Sequence, residues 1–166
     1  RPPRSRRPPH PRAADRPLTI FFAGEIGERK GVDVLAGALS KLGASHDWRC
    51  TIAGNGDATP FAQALADAGV ADRVSFPGWI GMDKIHAGML GADIVVLPSR
   101  SEALPISLIE GAAAGAAMVC TDVGASAEIN ENGVTGYVLP IEVGAFAQAF
   151  SELAADRGKL AAMQKA

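Results

Sequence analysis

Apolar residues recur along the chain with two periods that alternate. The run Leu18-Thr19-Ile20-Phe21-Phe22-Ala23 is short, β-branched and aromatic, and predicts a buried strand. From Val32 to Leu42 the period changes, and Val32, Leu35, Ala36 and Leu39 mark one face of a helix. Trp48 to Ala53 reads as a second strand, and Gly54-Asn55-Gly56-Asp57 as the turn that ends it. A helix from near Thr59 to Ala68 presents Phe61, Ala64, Leu65 and Ala68. Val74 to Phe76 predicts a short strand closed by Pro77-Gly78, Met82 to Leu90 a helix, and Asp93 to Leu97 a strand. Pro98 ends that strand because it has no N–H for a ladder. Pro105 suits the first position of the next helix, and Leu104, Leu108, Ala112 and Ala116 are its expected seam. Ala117 to Thr121 and Gly136 to Leu139 complete the strands, with a short helix at 125–130 between them. A helix over 142–155 and a further short one close the pattern.

Strands alternating with helices through short loops imply an α/β fold. The expected form is a Rossmann-like parallel sheet of about six strands with helices on both faces. Ligands of such sheets bind beyond the carboxyl ends of the strands. That edge gathers the loops Gly24–Gly31, Gly54–Asp57, Pro77–Gly81 and Ser99–Pro105.

Composition narrows this picture rather than changing it. The chain has 166 residues, enough for one domain with a real core, and 48% are hydrophobic, which excludes a mainly disordered protein. Cys50 and Cys120 fall in predicted strands without metal-ligand spacing, so both are expected to be reduced core residues of a cytoplasmic protein. Charge is uneven: net −2 overall, yet residues 1–16 hold six arginines and one aspartate. This Pro- and Arg-rich stretch is expected to be a linker or crossover over residues 1–17, followed by one domain over 18–166. It carries no aromatic residue for base stacking, so nucleic acid is not an expected partner.

Candidate chemistry sits in two loops. Arg29 and Lys30 precede a helix, where two cations and backbone N–H groups can meet a diphosphate; an ordinary solvated loop would read the same way. Glu102 precedes the helix after Pro105 and Glu110 lies within it. They could flank a ligand along the helix start, or simply favour the helix dipole and the solvent. Gly54-Asn55-Gly56 lacks the third glycine of a dinucleotide fingerprint. Trp79 either borders a base pocket or is a buried rim residue. No nucleophile–base pair and no metal spacing is legible, and His10, His46 and His86 are expected at the surface.

Several motifs occur in one order: Lys30-Gly31-Val32-Asp33-Val34-Leu35, Ala53-Gly54-Asn55-Gly56-Asp57, Val74-Ser75-Phe76-Pro77-Gly78, and Pro98-Ser99-Arg100-Ser101-Glu102 with Glu110 as E-x7-E. Thr121-Asp122-Val123-Gly124, Glu128 and Gly133-Val134-Thr135-Gly136 follow. Together they resemble the C-terminal, donor-binding domain of the retaining GT-B glycosyltransferases of family 4 (group 1), over roughly Leu18 to Ala155. The resemblance implies a UDP- or GDP-sugar as substrate, with no further cofactor and no metal. It implies that Lys30 holds the diphosphate, Glu102 contacts the donor sugar and Glu110 accepts from the ribose. Arg29, Gly54 and the backbone at Leu104, Pro105 and Ile106 would complete donor binding. The acceptor domain would lie outside this chain, leaving the fragment alone with little or no transfer activity. Peripheral membrane association of a full-length enzyme in polysaccharide or glycolipid synthesis stays open. Two departures bear on the site: Glu25 stands where the family usually has arginine, and Ala103-Leu104-Pro105 replaces Gly-Phe-Gly. They leave a non-catalytic nucleotide-binding or assembly module of the same fold as the alternative.

Overall fold

The computed structural model describes residues 15–166, so the expected linker lies mostly outside the described residues. Six strands form one sheet: β1 (Leu18–Ala23), β2 (Trp48–Ala53), β3 (Val74–Gly78), β4 (Ile94–Leu97), β5 (Ala117–Thr121) and β6 (Gly136–Leu139). Their order is β3-β2-β1-β4-β5-β6 and every pairing is parallel. The order reverses between β1 and β4, which pair through Ile20↔Ile94 and Phe21↔Val95. A crevice must open above that pair, because the loops that follow the two strands leave in opposite directions.

The helices are α1 (Val32–Leu42), α2 (Thr59–Asp67), α3 (Met82–Gly91), α4 (Ile106–Ala113), α5 (Ser126–Ile129), α6 (Val143–Ala155) and α7 (Arg157–Lys165). Strand alternation divides the core. Leu18, Ile20 and Phe22 join the larger cluster with Val32, Leu35, Leu39, Phe146 and Phe150. Phe21, Ala53 and Val95 pack on the other face with Met89, Ala114 and Ala116. Cys50 and Cys120 are buried and unpaired, as expected, and burial pushes both thiols up from their ordinary values. β3 runs two residues further than its pattern predicts, taking in Pro77 and Gly78.

The helix after β4 departs from the expected seam. Pro105 (ψ 75°) is not itself helical but caps α4, its carbonyl accepting from Leu108 and Ile109. Leu104 therefore lies ahead of the first turn and is 57% exposed, and Ala112 is exposed too. The buried stripe is Leu108 and Gly111, and a Cβ at Gly111 would come within 2.9 Å of the Val95 Cβ. Past Ala113 the Gly115 N–H donates to Ala112 and the Ala116 N–H to Gly111, the paired bonds of a Schellman cap. Ala116 thus belongs to the approach to β5 and not to the helix.

At the opposite edge of the sheet, buried Asp93 accepts from the Thr19 N–H at 2.9 Å and from Arg16 at 3.2 Å. Arg157 donates to the Arg16 carbonyl and Gln164 to that of Asp93, tying α7 to the start of β1.

Candidate functional site

Two loops meet above the switch point almost backbone to backbone. Gly31 has φ 72°, and a Cβ there would lie 1.8 Å from the Pro98 carbonyl oxygen. Only glycine combines that left-handed φ with so close an approach. The same logic holds at Gly54 (φ 149°), where a Cβ would fall 1.7 Å from the Gly24 oxygen. Its N–H donates to Gly78 and that of Gly24 to Ala53, so the ends of β1, β2 and β3 are knitted together.

Across the β1–β4 seam Lys30 reaches Glu102. The ammonium lies 2.5 Å from Oε1 and 2.8 Å from Oε2, with the lysine side chain 17% and the carboxylate 7% exposed. From the β5 side, Gly124 is pressed against the Glu102 carbonyl, where an added Cβ would stand 2.0 Å away. Two residues before Glu102, Arg100 places its fork on Asp33 at 2.7 and 2.8 Å. Its other contacts are the carbonyls of Glu28, at 2.5 Å from Nη1, and of Arg29, at 2.9 Å from the backbone N–H. The guanidinium holds the Asp33 carboxyl below its ordinary value.

The other expected residues lie around this pair. Arg29 points outward to Glu25 at 3.2 Å, both side chains being more than half exposed. Gly54 lines a cavity of about 580 Å³ with Gly24, Glu25, Asn55, Gly56, Trp79 and Ile80. Trp79 is 71% exposed and lines this cavity, so it is not a buried rim residue. Glu110 faces α3 instead, lining a neighbouring cavity of about 240 Å³ with Asp83, His86 and Met89; Ile85 lines both cavities. Pro105 is buried, while Leu104 and Ile106 are exposed at the start of α4. The Ile106 N–H is taken by the Leu104 carbonyl, and Pro105 has none to give.

Lys30 thus joins Glu102, Gly54 joins Glu25 and Trp79, and Glu110 stands apart across Ile85. Arg100 and Asp33 lie in two different motifs 67 residues apart, and nothing in their spacing pairs them. Among the described residues no group of three or more His, Cys, Asp or Glu could hold a metal ion. Nor is any described helix long and apolar enough to cross a membrane.

A parallel sheet in this order, with a basic group and glycine turns over its switch point, is the doubly wound, Rossmann-like type of α/β domain. The family model for glycosyl transferases group 1 matches residues 17–156, and the chain belongs to that family. It is 32% identical over 162 residues to a GDP-mannose-dependent alpha-(1-6)-phosphatidylinositol monomannoside mannosyltransferase of Mycobacterium tuberculosis, covering 92% of this chain and 42% of that protein. The chain spans 30–42% of the length of three curated relatives that it matches.

Solved structures agree on the fold. The C-terminal domain of a group 1 family protein from Francisella tularensis superposes with TM-score 0.84 at 23% identity, covering 90% of this chain and 83% of that one. An Anabaena protein in complex with UDP-glucose superposes with TM-score 0.81 at 21% identity, over 91% of this chain and 43% of its own. The Rossmann-like half of a GT-B fold is therefore what this chain forms.

Proposed function

We propose that the chain is the donor-binding half of a retaining glycosyltransferase. It would move a sugar from a nucleotide-diphospho-sugar to a glycan or glycolipid acceptor held by another domain of the same protein. The observation that carries this reading is the Lys30–Glu102 pair, a cation and a carboxylate set side by side over the switch point and mostly shielded from water. When the sugar–oxygen bond breaks, the nucleoside diphosphate departs with the bonding electrons and negative charge grows on its outer phosphate. An ammonium fixed at that point stabilises the growing charge more than the ground state. Glu102 holds that ammonium in place and offers acceptor oxygens to the sugar hydroxyls.

The cavity beside Gly54 and Gly56 takes the base, with Trp79 as its aromatic wall. Glu110 accepts from the ribose in the adjoining cavity across Ile85. Leu104, Pro105 and Ile106 border the donor at the start of α4, and Arg29 swings from exposed Glu25 to the diphosphate. Guanosine and uridine donors both fit this chemistry. The mycobacterial relative's dependence on GDP-mannose makes GDP the first to try.

Calorimetric titration of the 166-residue chain with GDP and with UDP tests the reading. Binding of at least one is expected, weakened by Glu110→Ala without loss of stability. No heat from either at millimolar concentration overturns it. One observation favours a non-catalytic module instead: Glu25 lines the base cavity and holds Arg29. Arg29→Ala separates the two, since a working phosphate site loses affinity and a disabled one does not.

A further inference from the structure

We propose that Arg100 and Asp33 are positioning residues of the donor site, a clamp that sets where the Lys30 ammonium stands. The proposal rests on the reading of that site given above. Lys30 lies in the loop between β1 and α1, and three of its near neighbours are held by one residue of the facing loop. Arg100 takes the carbonyls of Glu28 and Arg29 just before Lys30, and the Asp33 carboxylate just after Gly31. Gly31 meanwhile rests on Pro98, so the loop is pinned on both sides of the lysine. The residue that does this sits two positions before Glu102, the lysine's own partner. One short segment, Pro98 to Glu102, therefore fixes both the backbone and the tip of Lys30.

Geometry separates this role from general stability. The Arg100 and Asp33 side chains are 40% and 34% exposed, and ion pairs so placed contribute little to folding. The fork, however, is bidentate, and planar two-point pairing restricts orientation more than a single contact does. Loss of the clamp leaves the sheet and the Lys30–Pro98 region folded but lets Lys30 wander from Glu102. A merely structural pair would instead change stability and leave the lysine alone.

The Nζ resonances of the 166-residue chain, recorded by lysine-selective NMR without ligand, report this directly. The five amines belong to Lys30, Lys41, Lys84, Lys159 and Lys165, and Lys30→Arg identifies the signal of interest. In the wild type that signal is expected to exchange slowly, because the ammonium is bonded to both oxygens of Glu102. Arg100→Ala and the near-isosteric Asp33→Asn are expected to move it towards the fast-exchanging amines, and Arg100→Lys to restore it in part. With GDP or UDP as probe, Arg100→Ala should weaken binding roughly five- to tenfold. It should have no further effect in a Lys30→Ala background, because it acts through that lysine. An unchanged Lys30 signal in both variants, or a loss that adds in full to that of Lys30→Ala, overturns the clamp. Should the wild type take up neither nucleotide, the donor-site reading fails, while the ligand-free signal still decides the clamp.

Discussion

Lys30 and Glu102 are 72 residues apart in sequence and share a two-pronged contact of 2.5 and 2.8 Å. The pair is unequal, since the carboxylate is 7% exposed and the lysine side chain 17%. Lysine also has a flexible stem that can carry its charge back to water, and glutamate has less reach. Lys30→Ala strands the more deeply buried charge and is expected to cost about 2–4 kcal/mol, against about 1–2 kcal/mol for Glu102→Ala. The double variant should cost less than the sum, as contacting residues do not add. Urea denaturation of the three variants measures this: equal single losses would refute the asymmetry, and a double loss equal to their sum would show that the two side chains are not coupled.

Trp79 provides an optical probe of the base cavity. The chain has two tryptophans; Trp48 is fully buried and bonded through its indole N–H to the Gly43 carbonyl, whereas Trp79 is 71% exposed. Stacking of a base on Trp79 should quench the solvent-exposed part of the emission and leave Trp48 unchanged. Trp79→Ala should alter stability by no more than about 0.5 kcal/mol, since exposed side chains bury little. Its nucleotide affinity should fall several-fold, at about 1–3 kcal/mol per stacked base. Wild-type emission that ignores saturating GDP and UDP would remove Trp79 from the site.

The fold was largely legible because burial on both faces leaves continuous apolar runs. Leu18–Ala23 and Ile94–Leu97 show this, and neither has a polar residue except Thr19. The helix after β4 was harder to register from sequence. Four-residue spacing put Leu104 in its seam, but spacing says nothing of where the first turn starts, and Pro105 delays that turn until Ile106. The end was equally hidden, because the cap at Gly115 depends on hydrogen bonds and not on apolar pattern. Within the site, E-x7-E marked Glu102 and Glu110 but did not reveal that one faces Lys30 and the other α3. The Arg100–Asp33 fork spans 67 residues and has no local signature, since one charged residue in each of two loops is commonplace.

Two glycines of the same loop should behave in opposite ways. At Gly31 a methyl group meets the Pro98 carbonyl at 1.8 Å in a left-handed backbone, so neither the side chain nor φ can be accommodated. The left-handed conformation alone costs roughly 1–2 kcal/mol, and displacing a carbonyl adds to it. Gly31→Ala should therefore lose about 3 kcal/mol or more, together with the slow exchange of the Lys30 amine. Around Gly27 there is open space for 4 Å, and Gly27→Ala should fall within about 1 kcal/mol of wild type. Thermal unfolding compares them, and equal shifts would refute the backbone contact between the two loops.

Acid provides the last test, because the clamp titrates through Asp33. Its carboxyl is held below the ordinary value first by the hydrogen bonds from Arg100 and then by the positive charge itself, with burial opposing both. A carboxylate depressed in the folded state adds stability that is fully present above the unfolded value, about 3.9, and is lost as pH falls through the lower folded one. With the side chain about one-third exposed, solvent screens the contribution and keeps it small. The informative quantity is the difference between wild type and Asp33→Asn, in which carboxylates such as Asp57 and Glu152 cancel. Urea midpoints from pH 6 down to 2.5 should favour the wild type at the upper end, with the gap narrowing below about pH 4. Parallel curves would mean that Asp33 feels no net field from Arg100. The fork seen across the two loops would then play no part in holding them together.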